Sequence, residues 1–422
     1  MRTTYLVLIA FFCAQLGFSQ PSHLSSGEIL LKLNKLNVLG NALYLAAHPD
    51  DENTRMIAYL GNDRLVNTAY LSLTRGDGGQ NLIGPELREG LGVIRTQELL
   101  AARRLDGGQQ FFSRANDFGY SKTATETLKI WNEEEVLGDA VWVYRNFRPD
   151  VIITRFPPDS RAGHGHHTSS AIIAGKAFEV AGTEAYSEQL EFVEPWQPKR
   201  IMINSGRWWD SSIEEKEGVI QVDVGAYSPF LGLSYSEIAA DSRSQHKSQG
   251  FGNARSRGES IEFLTLTDGE AADTDVFDGI DITWNRVGAM ELKKQVDKII
   301  LDFDAAIPAK SIPALLKLRE AVAQIEDPFW RGIKLKEIDH LVLDCSGLFL
   351  GGWASDFTVV PGEQLQLNLE IVNRSDVSMH LVKVEYSGIS NTFDSLLSNN
   401  QKAMIPLTID VPKTAEYTGP YW

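Results

Sequence analysis

The sequence predicts an α/β fold: a Rossmann-like, mostly parallel sheet flanked by helices, followed by a helical segment and a partial all-β, sandwich-like C-terminal domain. Three observations carry this. Short apolar runs such as Asn41–Leu45 and Val151–Thr154 have the length of buried parallel strands. Long helical patterns alternate with them, as in βαβ units. Beyond residue 355 the helical patterns give way to short strand-like runs, separated by Pro361-Gly362-Glu363 and Asn373-Arg374-Ser375-Asp376.

Taken in order, residues 1–19 read as an export signal. Arg2 is the sole positive charge, Tyr5 to Phe12 is apolar, and small residues surround Gly17-Phe18-Ser19, with cleavage expected after Ser19. The run is shorter than the roughly 20 apolar residues of a spanning helix, so a periplasmic or secreted protein with no transmembrane segment after signal removal is expected. Cys13 lies inside the signal and Cys345 is the other cysteine, which leaves no internal disulfide. Residues 22–36 suit an amphipathic helix, 41–47 a first strand and 65–74 a second, which ends in the glycine-rich turn 75–81. A helical pattern runs from Pro85 to Leu105 with Leu87, Leu91, Ile94, Leu99 and Leu100 on its buried face, and Arg95 and Glu98 read as a surface ion pair. A strand at 109–113, one helix over 125–147, a strand at 151–154, a helix over 171–180, strands at 200–204 and 219–222 and a helix from Ser234 follow. Helices over 287–306 and 313–325 come next, then four strands beginning with Phe357–Val360. The expected domains are 1–19 (signal), 20–258 (α/β), 259–354 (mainly helical) and 355–422 (sandwich-like and incomplete, since a sandwich takes about seven strands).

With 422 residues, 43% of them hydrophobic, the chain is globular and large enough for two or three cores. A formal charge of -16 without a basic cluster excludes a general phosphate-backbone binder, so no nucleic acid partner is expected.

Chemistry concentrates in two clusters, each after a predicted strand. The first is Ala47-His48-Pro49-Asp50-Asp51-Glu52 and the second Gly163-His164-Gly165-His166-His167. Imidazole and carboxylate together suit a divalent transition metal, and strand ends are where α/β sheets bind ligands. The bland alternatives are acids favouring the first turn of a helix and a solvated histidine loop; two such clusters at strand ends weigh against both.

These residues resemble the PIG-L (LmbE-like) family of zinc-dependent N-acetyl deacetylases, which carries AHPDDE after its first strand and a later His-x-x-His. The likeness covers roughly residues 40–255 and includes His246-Lys247-Ser248-Gln249. It implies one Zn2+ held by His48, Asp51 and His167, Asp50 as general base, and a protonated His164 stabilising the oxyanion. The implied substrate is an N-acetylated sugar or glycan, cleaved to amine and acetate. Arg75, Asp77, Arg161 and His246 are the candidate substrate-binding residues, and Trp208-Trp209 could offer a stacking face. The chain departs from the family in having His166 where Asp is common, and in lacking a tyrosine just before the second motif. Two alternatives stay open: a metal-dependent amidase acting on a sugar-linked conjugate, and a non-catalytic glycan-binding protein.

Overall fold

Strand β1 (Asn41–Ala46) is buried at every position, as the apolar run Ala42–Ala46 requires, and the Asn41 side chain is satisfied by the Phe147 and Arg148 carbonyls. Leu43 and Leu45 point into one core with Leu71, Ile152, Tyr144 and Ile173. Ala42, Tyr44 and Ala46 point into another with Met56, Ile57, Leu99 and Ile153. Helices therefore cover both faces of the sheet, as expected for the α/β class. The computed structural model describes residues 24–207, 209–386 and 389–419; the expected export signal and Trp208 lie outside them.

Beside β1 stand β2 (Asn67–Ser72), β3 (Gln109–Phe112), β4 (Val151–Thr154) and β5 (Arg200–Ser205), all parallel. β6 (Val219–Asp223) and β9 (Ile261–Gly269) complete the sheet in the order β3-β2-β1-β4-β5-β9-β6, with β9 antiparallel to both neighbours. β7 (Tyr227–Ser228) and β8 (Leu233–Ser234) form a separate small hairpin. The strand order reverses between β1 and β4, which pair from Ala42↔Val151 to Leu45↔Thr154. A crevice for ligands opens beyond the carboxyl ends of strands at such a reversal. β9 also carries the sheet past residue 258, where the sequence suggests a change to helix.

Several elements differ from expectation for local reasons. The helix expected from Pro85 begins at Glu89, and Leu87 is 61% exposed. Arg95 and Glu98 are not paired with each other: Arg95 is buried and donates to the Gln80 carbonyl, while Glu98 accepts from Ser248. The single helix expected over 125–147 is two, Ala124–Trp131 and Glu133–Phe147, because Asn132 takes a left-handed conformation between them. The helix expected over 171–180 starts earlier, at Gly165. Ser234 caps the helix Tyr235–Arg243 reciprocally with Glu237, which gives that serine a structural role. A 19-residue helix, Pro328–Ser346, passes unnoticed in the sequence; its apolar residues are too evenly spread around the axis to show one face.

The chain divides into two compact units, the first described above as residues 30–301 with 320–334. The second comprises 335–419 with 24–29 and 302–319. Its strands are β10 (Phe349–Ala354), β11 (Gln364–Val372), β12 (His380–Tyr386), β13 (Ile389–Leu396) and β14 (Lys402–Asp410). They form a three-stranded antiparallel sheet β10-β11-β14 and a β12-β13 pair, around Ile371, Leu397, Ile405 and Leu407. Phe357–Val360, expected as a strand, is irregular, and Phe357 is 97% exposed. The strand lies earlier, where Gly351-Gly352 masks its propensity.

A buried ion pair fixes the base of the β1–β4 seam. Asp150 is 1% exposed, accepts from the Asn41 amide at 2.9 Å, and takes both Arg286 nitrogens at 2.7 and 2.8 Å. Arg286→Ala leaves that carboxylate buried and unpaired. It should cost about 3–5 kcal/mol in chemical denaturation; a loss below about 1 kcal/mol would contradict this account.

Candidate metal centre

After β1 the chain turns sharply through His48-Pro49-Asp50-Asp51. Asp51 closes the turn on itself, its Oδ2 accepting from the His48 amide at 2.8 Å and meeting His48 Nδ1 at 3.0 Å. Tyr70, on β2, donates its hydroxyl to the His48 carbonyl at 2.5 Å. Asp50 sits at φ 100°, a conformation that costs a non-glycine residue about 1–3 kcal/mol. The following helix, Thr54–Asn62, begins only after the acids, with Asn53 capping it and no acid in its first turn. The helix-start alternative for Asp50, Asp51 and Glu52 therefore does not describe this turn.

The second cluster enters from β4. His164 occupies the N-cap position of the helix Gly165–Val180, and His166 and His167 lie in its first turn. Gly165 permits this entry, since a Cβ there would meet Ser121 Oγ and the Thr123 carbonyl at 2.4 Å. The two clusters meet: the rings of His164, His166 and His167 lie 5.5, 5.1 and 5.3 Å from that of His48. Asp51 joins them, its Oδ1 lying 3.4 Å from His167 Nε2.

The imidazoles of this cluster fit a divalent ion, and Asp51 contacts two of them. Two ligands each about 2.1 Å from a tetrahedral ion stand roughly 3.4 Å apart, and Asp51 lies 3.0 Å from His48 Nδ1 and 3.4 Å from His167 Nε2. His167 Nδ1 donates to the Ala162 carbonyl at 2.9 Å, leaving Nε2 as the ligating nitrogen, the orienting contact a metal-bound histidine uses. His48, His164 and His167 offer nitrogens within 4.8 Å of one another, as do His48 and His166 with an Asp117 oxygen. Buried His164 Nδ1 finds no hydrogen-bond partner among the described residues.

The electrostatics separate the acids. Burial pushes the Asp50 carboxyl up, and the Asp51 charge pushes further, to about 6. Burial also opposes ionisation of Asp51, but His167 and His48 more than offset it and hold Asp51 well below the carboxylate range. Burial, then the neighbouring imidazoles of His167 and His48, lower His164 to about 4. At neutral pH it is thus a neutral hydrogen-bonding group, not the imidazolium expected. His166 is likewise lowered, to about 3, by burial and then His48. Its Nδ1 lies 2.9 Å from His48 Nε2, with Trp131 stacked on its ring and Phe118 edge-on.

The candidate substrate-binding residues have varied fates. Arg75 donates to Thr96 Oγ1 and lies over the Phe112 ring, and Asp77 accepts from the Asp117 amide. Arg161 is exposed and forked onto Asp159. His246 is fully buried, its Nε2 2.8 Å from Glu52 Oε1, so it is a structural partner of the motif and not a substrate contact. The sequence left Glu52 a bland supporting role. In the structure Glu52 also binds Arg103 at 3.2 Å and accepts from the Asp50 amide at 2.9 Å. Asp117, Phe156 and Tyr120 were missed. Phe156 stacks on His167 at 3.8 Å, and exposed Tyr120 lies 5.6 Å from the His164 ring. Asp117 and Tyr120 share one loop and Phe156 follows β4, and neither stretch has a local pattern that would have found them.

The fold and the site together define an α/β domain with a cluster of histidines and acids that could hold a metal at the strand-order reversal. Residues 43–178 match the family described as PIG-L, GlcNAc-PI de-N-acetylase. It is 26% identical over 181 residues to the 1D-myo-inositol 2-acetamido-2-deoxy-alpha-D-glucopyranoside deacetylase of Streptomyces avermitilis, covering 38% of this chain and 60% of that protein. It is 28% identical over 177 residues to the mycothiol S-conjugate amidase of Streptomyces coelicolor, covering 38% and 59%. The chain thus spans about three fifths of the length of these curated relatives. The solved N,N'-diacetylchitobiose deacetylase of Pyrococcus horikoshii is 17% identical, at a TM-score of 0.37 over 59% of this chain and 80% of that one.

Glu52 supplies a stability test. Burial raises its pKa, but His246 and Arg103 outweigh burial and hold it at about 2, below its ordinary 4.5. Its stabilisation is therefore whole above about pH 4.5 and is lost as pH falls through 2. Glu52→Ala should lose about 3–5 kcal/mol at pH 7, with a smaller difference from the unaltered protein near pH 2.5. Denaturant midpoints measured across that window check both points.

Proposed function

We propose that this protein is an exported, zinc-dependent deacetylase that hydrolyses the acetamide of an N-acetylglucosamine-type sugar conjugate to a free amine and acetate. The observation that carries this reading is the convergence of His48, His164 and His167 at the strand-order reversal, with Asp51 in contact with both His48 and His167. The PIG-L match and the deacetylase relative support the substrate class. Export rests on the pattern of residues 1–19, and among the described residues no helix is long and apolar enough to cross a membrane.

His48, Asp51 and His167 would hold the ion, a set of imidazoles and carboxylate that suits zinc. Bound there, zinc supplies a Lewis acid that polarises a carbonyl and brings the pKa of water to about 7. With its pKa raised to about 6, Asp50 is ionised at neutral pH yet basic enough to accept a proton. It takes that proton as the water oxygen bonds to the acetamide carbon. His164, neutral by the same burial, donates a hydrogen bond to the carbonyl oxygen as charge develops. The C–N bond then breaks and Asp50 returns the proton to the amine nitrogen.

Acetate release from N-acetylglucosaminyl conjugates by the metal-loaded protein tests the reading. Asp50→Asn should lower kcat roughly 10²–10⁴-fold while one metal per chain is retained. The kcat/KM should fall as pH drops through about 6, where Asp50 gains its proton. Activity that survives complete chelation would sink the mechanism. Similarity to the mycothiol S-conjugate amidase favours a second reading, an amidase on a sugar-linked conjugate; release of a larger acid in place of acetate would select it.

A further inference from the structure

The segment Arg243–Gln249 leaves the end of one helix, crosses a short turn, and presents three side chains to the peptide units around Asp50. Gln249 Nε2 donates to the Pro49 carbonyl at 2.8 Å. The N–H of that same Pro49–Asp50 peptide donates to Glu52 Oε2 at 2.9 Å, and Glu52 Oε1 accepts from His246 Nε2 at 2.8 Å. The next peptide is held through its carbonyl, which accepts from Arg243 at 2.9 Å. Both peptide planes flanking the Asp50 Cα are thereby oriented. That Cα is the one at φ 100°, a conformation an aspartate adopts only when its surroundings impose it.

The segment is itself anchored. The Ser248 amide and hydroxyl both donate to Glu98 at 2.7 Å, the Ser248 carbonyl accepts from the Leu82 amide at 2.8 Å, and Arg243 lies over the Phe251 ring. An exposed turn held only by its own bonds would relax toward negative φ, and the aspartate side chain would swing with it.

We propose that Arg243, His246 and Gln249 form a three-point clamp of positioning residues that holds Asp50 in its left-handed conformation and so aims its carboxylate at the metal centre. The proposal rests on the deacetylase reading for its kinetic consequence, but not for the clamp itself. None of the three side chains needs to touch substrate. Arg243 and Gln249 act through the backbone of the base, and His246 acts through Glu52.

Hydrogen–deuterium exchange of the metal-loaded, full-length protein, resolved over residues 48–53, reads the clamp directly, alongside kcat, KM and metal content. Gln249→Met removes a half-buried donor at nearly constant volume, and His246→Ala removes the buried one. In both variants the Asp50 amide should exchange at least about tenfold faster while the β1 amides stay protected, so that global unfolding is excluded. The kcat should fall roughly 10²-fold, with KM changed far less and one metal still bound. His246→Gln, which restores a donor toward Glu52, and Arg243→Lys, compared with Arg243→Ala, should each recover a large part of the loss. Unchanged exchange at Asp50 in Gln249→Met and His246→Ala overturns the clamp. Faster exchange with kcat within about twofold of the unaltered enzyme overturns its catalytic consequence. If the unaltered protein releases no acetate, the deacetylase reading fails and exchange alone still decides the clamp.

Discussion

The parallel pairing of β1 with β4 is the constraint on which the site depends. These strands are more than a hundred residues apart in the chain, yet Ala42–Leu45 lies in register with Val151–Thr154. The seam is fixed at its base by Asp150 and Arg286, and near its top by the Arg155 amide on the Leu45 carbonyl. Because the strand order reverses here, the segments after both strands turn away over opposite faces and leave the crevice between them. His48 follows one strand and His164, His166 and His167 follow the other, so the register that packs Leu43 against Ile152 also brings four imidazoles together. A slip of the seam would separate the ligand sets.

Within that crevice, burial raises the cost of charge for every group, and the neighbours decide which groups carry it. Asp51 stays ionised because two imidazoles face it. Asp50, one residue away, has its pKa raised by burial and then by the Asp51 charge to about 6. Two adjacent carboxylates are thus given different proton affinities by environment alone, the division of labour that the proposed ligand and base roles need. Glu52 is driven a third way, into a fully buried pair with His246 and Arg103 that carries the load of the turn. His166 shows the same logic from the other sign: enclosed by Trp131 and Phe118, it is neutral and offers its Nδ1 to His48.

The histidine-rich stretch is a helix start, and this explains why it read as a loop. Gly163, His164 and Gly165 carry weak helix propensity, but tertiary contacts set the start there: Gly165 is packed against Ser121 and Thr123. Asn132 divides a helical pattern for an equally local reason, its left-handed backbone, which hydrophobic spacing does not encode. The β-rich unit shows the limit of propensity as well. Gly351 and Gly352 lie in a paired strand, while the more strand-like Phe357–Val360 does not pair.

By itself the sequence determined the α/β class, the strands expected at 41–47, 151–154 and 200–204, and the two motifs. Each of these is local: a run of apolar residues or a short string of ligating types records its own burial or chemistry. It also divided Asp51 from Asp50 through a family resemblance. Only the tertiary structure decided that β9 closes onto β5, that Arg95 is buried away from Glu98, and that His246 is a partner of Glu52 and not of substrate. Those outcomes depend on contacts between residues far apart in the chain, among them the 194 positions separating His246 from Glu52. A single sequence records that both residues are polar; the distance between them is set by the packing of every strand and helix in between.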